Sequence, residues 1–188
     1  MERTFEAVLV EQCAPTLAGI KPASLFRFQA SGLPHIRRCA EEWDERLNPL
    51  GIRVRILKEC LNATAGMIYV YREKWLERLL TERHRAAFLK QTGYRIGPIS
   101  EMLDQLSDRL CLEQEYPHEI GVFLGYPLLD VVGFIENKAR NFTCCGYWKC
   151  YGDPAAARRC FKRYRACTEA YKKQYAAGIS VVQLVAAA

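Results

Sequence analysis

Apolar positions recur at helical intervals over most of the chain and alternate in three short stretches, a pattern that predicts a mixed fold. Residues 5–13 carry Phe5, Val8, Leu9 and Cys13 at helical spacing together with a dense Val8-Leu9-Val10 run; a helix is expected, with a strand as the alternative. Pro15 suits the first position of a separate short helix. Lys21-Pro22 ends that turn, because a residue before proline avoids the α region. Residues 24–28 alternate and predict a strand. Over 32–47, Ile36, Cys39, Ala40, Trp43 and Leu47 share one helical face, and Asn48-Pro49-Leu50-Gly51 stops the helix. Residues 52–57 and 67–71 alternate around a loop at 62–66. They predict two half-buried strands paired antiparallel, with 24–28 beside them.

From Glu73 the period turns helical. Trp75, Leu76, Leu79 and Leu80 mark one helix and residues 86–89 its continuation or successor, with Gly93 as the cap. Ser100 suits the N-cap of a helix over 101–112, with Met102, Leu103, Leu106 and Leu110 inward. Two short helices are expected at 118–124 and 128–137, joined by Gly125-Tyr126-Pro127. That turn is a packing corner rather than a phosphate-binding G-x-G hairpin, since proline removes an amide. Asp153-Pro154 opens a helix to about Tyr175, with Ala157, Phe161, Tyr164, Thr168, Tyr171 and Tyr175 as its apolar stripe. The expected fold class is α+β, a helix-rich single domain over 1–188 with a small antiparallel sheet.

Composition sharpens this. The 188 residues are half apolar, which excludes a disordered or fibrous chain. The charge is asymmetric: residues 136–188 hold ten Lys or Arg against three Asp or Glu, whereas the rest is near balance. The start carries acid where a secretory signal needs a basic and then apolar stretch. The most apolar stretches, 121–135 and 179–188, fall short of the roughly 20 residues that span a bilayer. A cytoplasmic protein without a membrane partner is the expectation.

Several strings look specific: residues 13–23 (Cys-Ala-Pro-Thr-Leu-Ala-Gly-Ile-Lys-Pro-Ala), 68–72 (Ile-Tyr-Val-Tyr-Arg), 117–127 (Pro-His-Glu-Ile-Gly-Val-Phe-Leu-Gly-Tyr-Pro), 133–137 (Gly-Phe-Ile-Glu-Asn) and 144–149 (Cys-Cys-Gly-Tyr-Trp-Lys). Together, in order and over nearly the whole chain, they resemble a bacterial domain-of-unknown-function family, number thirty-seven ninety-three, seen chiefly in anaerobes. The resemblance implies a single-domain cytosolic protein and transfers neither an activity nor a functional residue.

Nine cysteines and three histidines carry the candidate chemistry. Cys13, placed near the N-terminus of the short helix expected at Pro15, would have its thiol pKa lowered by free amides and the helix dipole. His118 is the candidate base, oriented by Glu119, Asp130 or Asn137, which would make a thiol hydrolase or transferase. His35 and His84 read as surface residues. The bland alternative is a buried Cys13 and a capping His118 that never meet. Cys144, Cys145 and Cys150 are weak metal or redox-cofactor candidates, because their gaps match no paired C-x₂₋₄-C signature. Cys160 and Cys167, seven apart on one helix, cannot share an ion. No phosphate-cradling loop is present, and no cofactor is specified.

The basic, Tyr- and Cys-rich segment 136–188 carries the remaining reading. Tyr147, Trp148 and Lys149 precede a helix bearing Arg158, Arg159, Lys162 and Arg163. Basic residues interleaved with aromatics suit an anionic partner, an acidic protein or single-stranded nucleic acid. The bland alternative is a solvated basic face over a tyrosine-rich core stripe. A binding or adaptor protein ranks ahead of the thiol enzyme and the metal protein, since it requires less.

Overall fold

The computed structural model describes residues 3–60, 62, 64–112 and 116–185. Position 63 of the expected 62–66 loop, and the ends of the two terminal stretches considered above, lie outside these residues. The chain divides into two compact units, Met1–Leu76 with Cys167–Ala188, and Glu77–Ala166.

The first unit is built on an antiparallel sheet of β1 (Ala23–Gln29), β2 (Ile52–Cys60) and β3 (Ala65–Arg72) in the order β1-β3-β2. Tyr71 faces Ala23 on one side and Arg53 on the other, and a bulge interrupts β2 between Ile56 and Lys58. Being central, β3 is almost wholly buried, whereas alternation survives better on its neighbours. Helix α1 (Phe5–Leu17) packs on β1 and α2 (Leu33–Leu47) on β2. Leu9, Leu17, Ile36, Leu47, Ile52 and Ile68 are sealed between them. A short helix from the far end of the chain, α9 (Val181–Leu184), adds Val181 and Leu184 to this core. It begins with a Ser180–Gln183 capping box.

Residues 5–17 form one helix rather than a helix or strand followed by a second helix at Pro15. The proline lies inside the last turn of α1. There it costs the bond that an amide at 15 would give to the carbonyl four residues back, but the unbroken helix keeps Leu9, Cys13, Ala14 and Leu17 buried together. The end of α1 is closed by the buried Arg72. Its Nε donates to the Thr16 carbonyl and a terminal nitrogen to that of Leu17, both at 2.7 Å. Gly19, at φ +69°, passes directly over this guanidinium, where a Cβ would lie 3.4 Å from it.

The second unit has no comparable sheet among its described residues. After α3 (Glu73–Thr81), which runs across the division, come α4 (Arg83–Gln91), α5 (Ile99–Leu112), α6 (Ile120–Phe123) and α7 (Leu128–Glu136). Then follow a two-stranded hairpin of β4 (Cys144–Cys145) and β5 (Lys149–Cys150), and the long α8 (Pro154–Ala176), which from Cys167 onward belongs to the first unit. Helix α5 starts at Ile99, one residue before the expected Ser100 cap. Gly93, at φ +92°, turns the chain after α4, and the Tyr94 amide reaches back to the Leu89 carbonyl. The Gly125-Tyr126-Pro127 corner is confirmed: Gly125 has φ +75°, and the Tyr126 amide donates to the Gly121 carbonyl at 2.9 Å.

The expected α+β class with a small antiparallel sheet is what the structure has. The hairpin and α9 have no counterpart in the sequence-based expectation. Among the described residues no helix is long and apolar enough to cross a membrane.

Candidate functional site

The expected thiol site starts from Cys13, and its surroundings contradict the chemistry asked of it. Cys13 lies well inside α1 and is fully buried in the sheet core. No helix begins beside it, so free amides do not favour a thiolate. Burial pushes its thiol up to about 12, against weaker lowering by Lys21 and a bond to Ser24. A nucleophilic cysteine needs the opposite shift. Its proposed base, His118, belongs to the other unit and is exposed in the turn before α6. The three expected orienting groups are engaged elsewhere. Glu119 accepts from the Tyr94 hydroxyl at 3.1 Å and from Arg109 at 3.0 Å. Asn137 donates to the Gly133 carbonyl. A thiol–imidazole contact that the sequence reading missed joins Cys39 Sγ to His35 Nε2 at 3.6 Å, one turn apart on α2. Burial, then the neighbouring Glu42, raises that thiol as well.

Asp130 is the polar centre of the second unit. It is 4 % exposed, on the first turn of α7. One carboxylate oxygen accepts from the Trp148 indole at 2.7 Å. The other accepts from the backbone amides of Tyr151 at 2.7 Å and Gly152 at 2.9 Å. One buried charge thereby holds the whole hairpin, because three donors that would otherwise be desolvated converge on it. Glycines let the pieces close: a Cβ on Gly133 would sit 2.5 Å from the Tyr151 ring, and one on Gly146 2.3 Å from that of Phe161.

This arrangement walls a cavity of about 320 Å³. Trp148 and Tyr126 form one side, stacked with centroids 5.1 Å apart. Trp148 is held from behind by the edge of Phe161 at 4.6 Å. His118 and Phe134, 4.9 Å apart, lie on another side, with Tyr116 beyond His118. Lys149, Cys145 and Tyr147 come from the hairpin. The Lys149 ammonium gives one bond to the Ala139 carbonyl at 2.9 Å and lies 4.8 Å from the Phe142 ring. Burial, and secondarily Tyr116, pushes the Tyr126 phenol up to about 12, so it stays neutral through the physiological range.

One wall residue of the cavity, Tyr147, packs on α8. The Tyr147 ring, 39 % exposed, meets the buried Tyr164 edge-on at 5.2 Å, and the Arg163 guanidinium lies 5.9 Å from the Tyr164 ring. Ala157, Phe161 and Tyr164 are the buried face here, as the stripe predicts. Arg158, Arg159, Lys162 and Arg163 are exposed, together with Arg165. Tyr147, Trp148, Lys149 and the α8 cations are therefore brought to one unit, and His118 joins them instead of Cys13. The sequence reading missed Tyr116, Tyr126 and Phe134. The Gly-Tyr-Pro string, read there as a packing corner, and the Gly-Phe-Ile string, read there as part of the family resemblance, are the signals that held two of them.

Cys144 and Cys150 are directly opposed in the hairpin, and Cys145 faces Lys149. Among the described residues no group of three or more His, Cys, Asp or Glu side chains could hold a metal ion.

No curated protein matches this chain, and no solved structure does. The family model described as "Protein of unknown function (DUF3793)" matches residues 9–185 and so takes in parts of both units. By that match, the chain belongs to the DUF3793 family.

Proposed function

We propose that this protein binds single-stranded nucleic acid through its second unit, with a base in the Trp148–Tyr126–His118 cavity and phosphates along the exposed cations of α8. The observation that carries the reading is that the cavity-wall residue Tyr147 packs on Tyr164 of the basic helix, whose ring has the Arg163 guanidinium 5.9 Å away. Proteins that hold single strands combine a positively charged track with aromatic side chains on which bases stack. Residues 154–166 supply five cations and no acid. The cavity favours nucleic acid over an acidic protein, because an aromatic, largely apolar hollow takes a planar π-face and repays little to a hydrated carboxylate. Lys149 keeps donors beyond the one spent on Ala139 and serves the phosphate next to the seated base.

Fluorescence anisotropy of labelled single strands of roughly 12 nucleotides tests this, within the site sizes usual for such proteins. Binding should weaken steeply with salt. R159E/R163E should lower affinity and flatten the salt slope. Y147A should weaken binding about fivefold or more at all salt concentrations, the loss expected for one stacked base. Absence of salt-dependent binding would sink the reading. Capture of polyglutamate without the oligonucleotide would assign the basic face to an acidic protein instead.

A further inference from the structure

The hairpin beside the cavity holds a second chemistry that does not depend on what the cavity binds. β4 and β5 pair antiparallel with Cys144 opposite Cys150 and Cys145 opposite Lys149. Directly opposed residues on such a ladder have Cα atoms about 4.5–5.5 Å apart and side chains on the same face. A disulfide needs about 4.4–6.8 Å. The alternation also separates the four side chains by role. Cys145 and Lys149 both line the cavity. Cys150, 1 % exposed, packs with Ala157 and Phe161 of α8, and Cys144 packs against the same cluster. Cys144 is the half-buried member, so it is the one an incoming reagent meets. Burial raises the Cys150 thiol, and the neighbouring Cys144 adds a smaller push in the same direction, so Cys150 is the resolving thiol and the more accessible Cys144 the attacking one.

We propose that Cys144 and Cys150 form a reversible dithiol–disulfide site that takes its oxidising equivalents from a small-molecule disulfide. The Cys144 thiolate attacks one sulfur of the small disulfide. A mixed disulfide forms and one small thiolate leaves. The Cys150 thiolate then attacks the Cys144 sulfur, closing the Cys144–Cys150 bond and expelling the second small thiolate. The two protons lost by the protein thiols end on the two small thiols. The protein dithiol is thus oxidised by two electrons and the small disulfide reduced by two. The bond closes the base of the turn that carries Gly146, Tyr147 and Trp148, so oxidation pins the cavity wall that the hairpin supplies.

The test is equilibration of the native protein in buffers of oxidised and reduced glutathione, followed by acid quench, alkylation and tryptic mapping. Trypsin cuts after Lys149, so the bond joins peptides 141–149 and 150–158, which are otherwise separate. Because the first peptide also holds Cys145, the experiment is run on C145S and on C144S. The linked pair is expected in wild type and C145S and absent from C144S. Half-oxidation should come at a glutathione ratio at least tenfold more reducing than for the same chain unfolded in urea, because folding has already opposed the two sulfurs. Three results would each overturn the site: a stable glutathione adduct without the linked pair in C145S, linkage that persists in C144S, or identical half-oxidation in folded and unfolded chains. All readouts are covalent, so a failed nucleic-acid experiment leaves them intact.

Discussion

The two units bury charge for different ends. In the first, Arg72 sits under Gly19 and spends its guanidinium on the last carbonyls of α1, inside a core sealed around a three-stranded sheet. In the second, Asp130 gathers three donors from a hairpin too short to stand alone, since an isolated two-stranded ribbon is marginal in water. The Arg72 cluster closes a helix end. The Asp130 cluster holds open an aromatic cavity and presents Tyr147, Trp148 and Lys149 at its edge. A buried ion spent on helix-end carbonyls next to a packed core is architecture, whereas one that fixes side chains lining a hollow is the support of a site.

That contrast can be broken most severely at Asp130. D130A leaves an indole and two amides without their acceptor in a buried setting, and unpaired buried groups of this kind cost about 3–5 kcal/mol together. Urea unfolding should show that loss, and Trp148 emission should shift before the global transition as the hairpin comes away. An unshifted transition would mean that the hairpin is held by Phe161 packing alone. R72M comes next, at about 1–3 kcal/mol, from the Leu17 carbonyl losing its guanidinium donor while that of Thr16 keeps the Gly19 amide. Hydrogen exchange should place the loss at α1 and leave the Tyr126–Trp148 region protected as in wild type. Loss of protection in both regions would show that the two clusters are not independent.

Smaller effects sharpen the same division. G146A forces a methyl toward the Phe161 ring and should cost about 1–3 kcal/mol by overpacking, while weakening oligonucleotide binding more than D153A does. At neutral pH the least effect is expected from C13A, about 1 kcal/mol, typical of a modest core change. Its pH dependence is the informative part. The Cys13 thiol is raised in the folded state, so its contribution is fully present below its unfolded value near 9 and is lost as pH climbs toward about 12. Tyr69, fully buried in β3 and raised by that burial, adds to the alkaline loss. Thermal melts from pH 8 to 11 should fall less steeply for C13A than for wild type. Equal slopes would mean that Cys13 is reached by solvent.

Periodicity alone located the elements of the first unit other than α9, because each buries one face over at least two turns or several alternating residues. The stripe of Ile36, Ala40, Trp43 and Leu47 and the alternation of residues 52–57 are examples. The same logic placed α8 and its outward cations to within a residue at each end. It failed at Pro15, where the burial of Cys13, Ala14 and Leu17 outweighs the one bond a proline forfeits. It was silent on the hairpin, whose strands are two residues each and hold no readable period.

The sequence by itself therefore determined the fold class, most helices and strands, and the concentration of basic and aromatic residues toward one end, because these rest on local spacing and composition. Tertiary structure decided which chemistry meets which. It took Cys13 out of solvent, seated His118 beside Trp148 and Lys149, made Asp130 their support and set Cys144 against Cys150. Those meetings join residues from the turn before α6, from α7 and from the hairpin. They depend on the path of the chain between elements, which residue spacing within any one element does not contain.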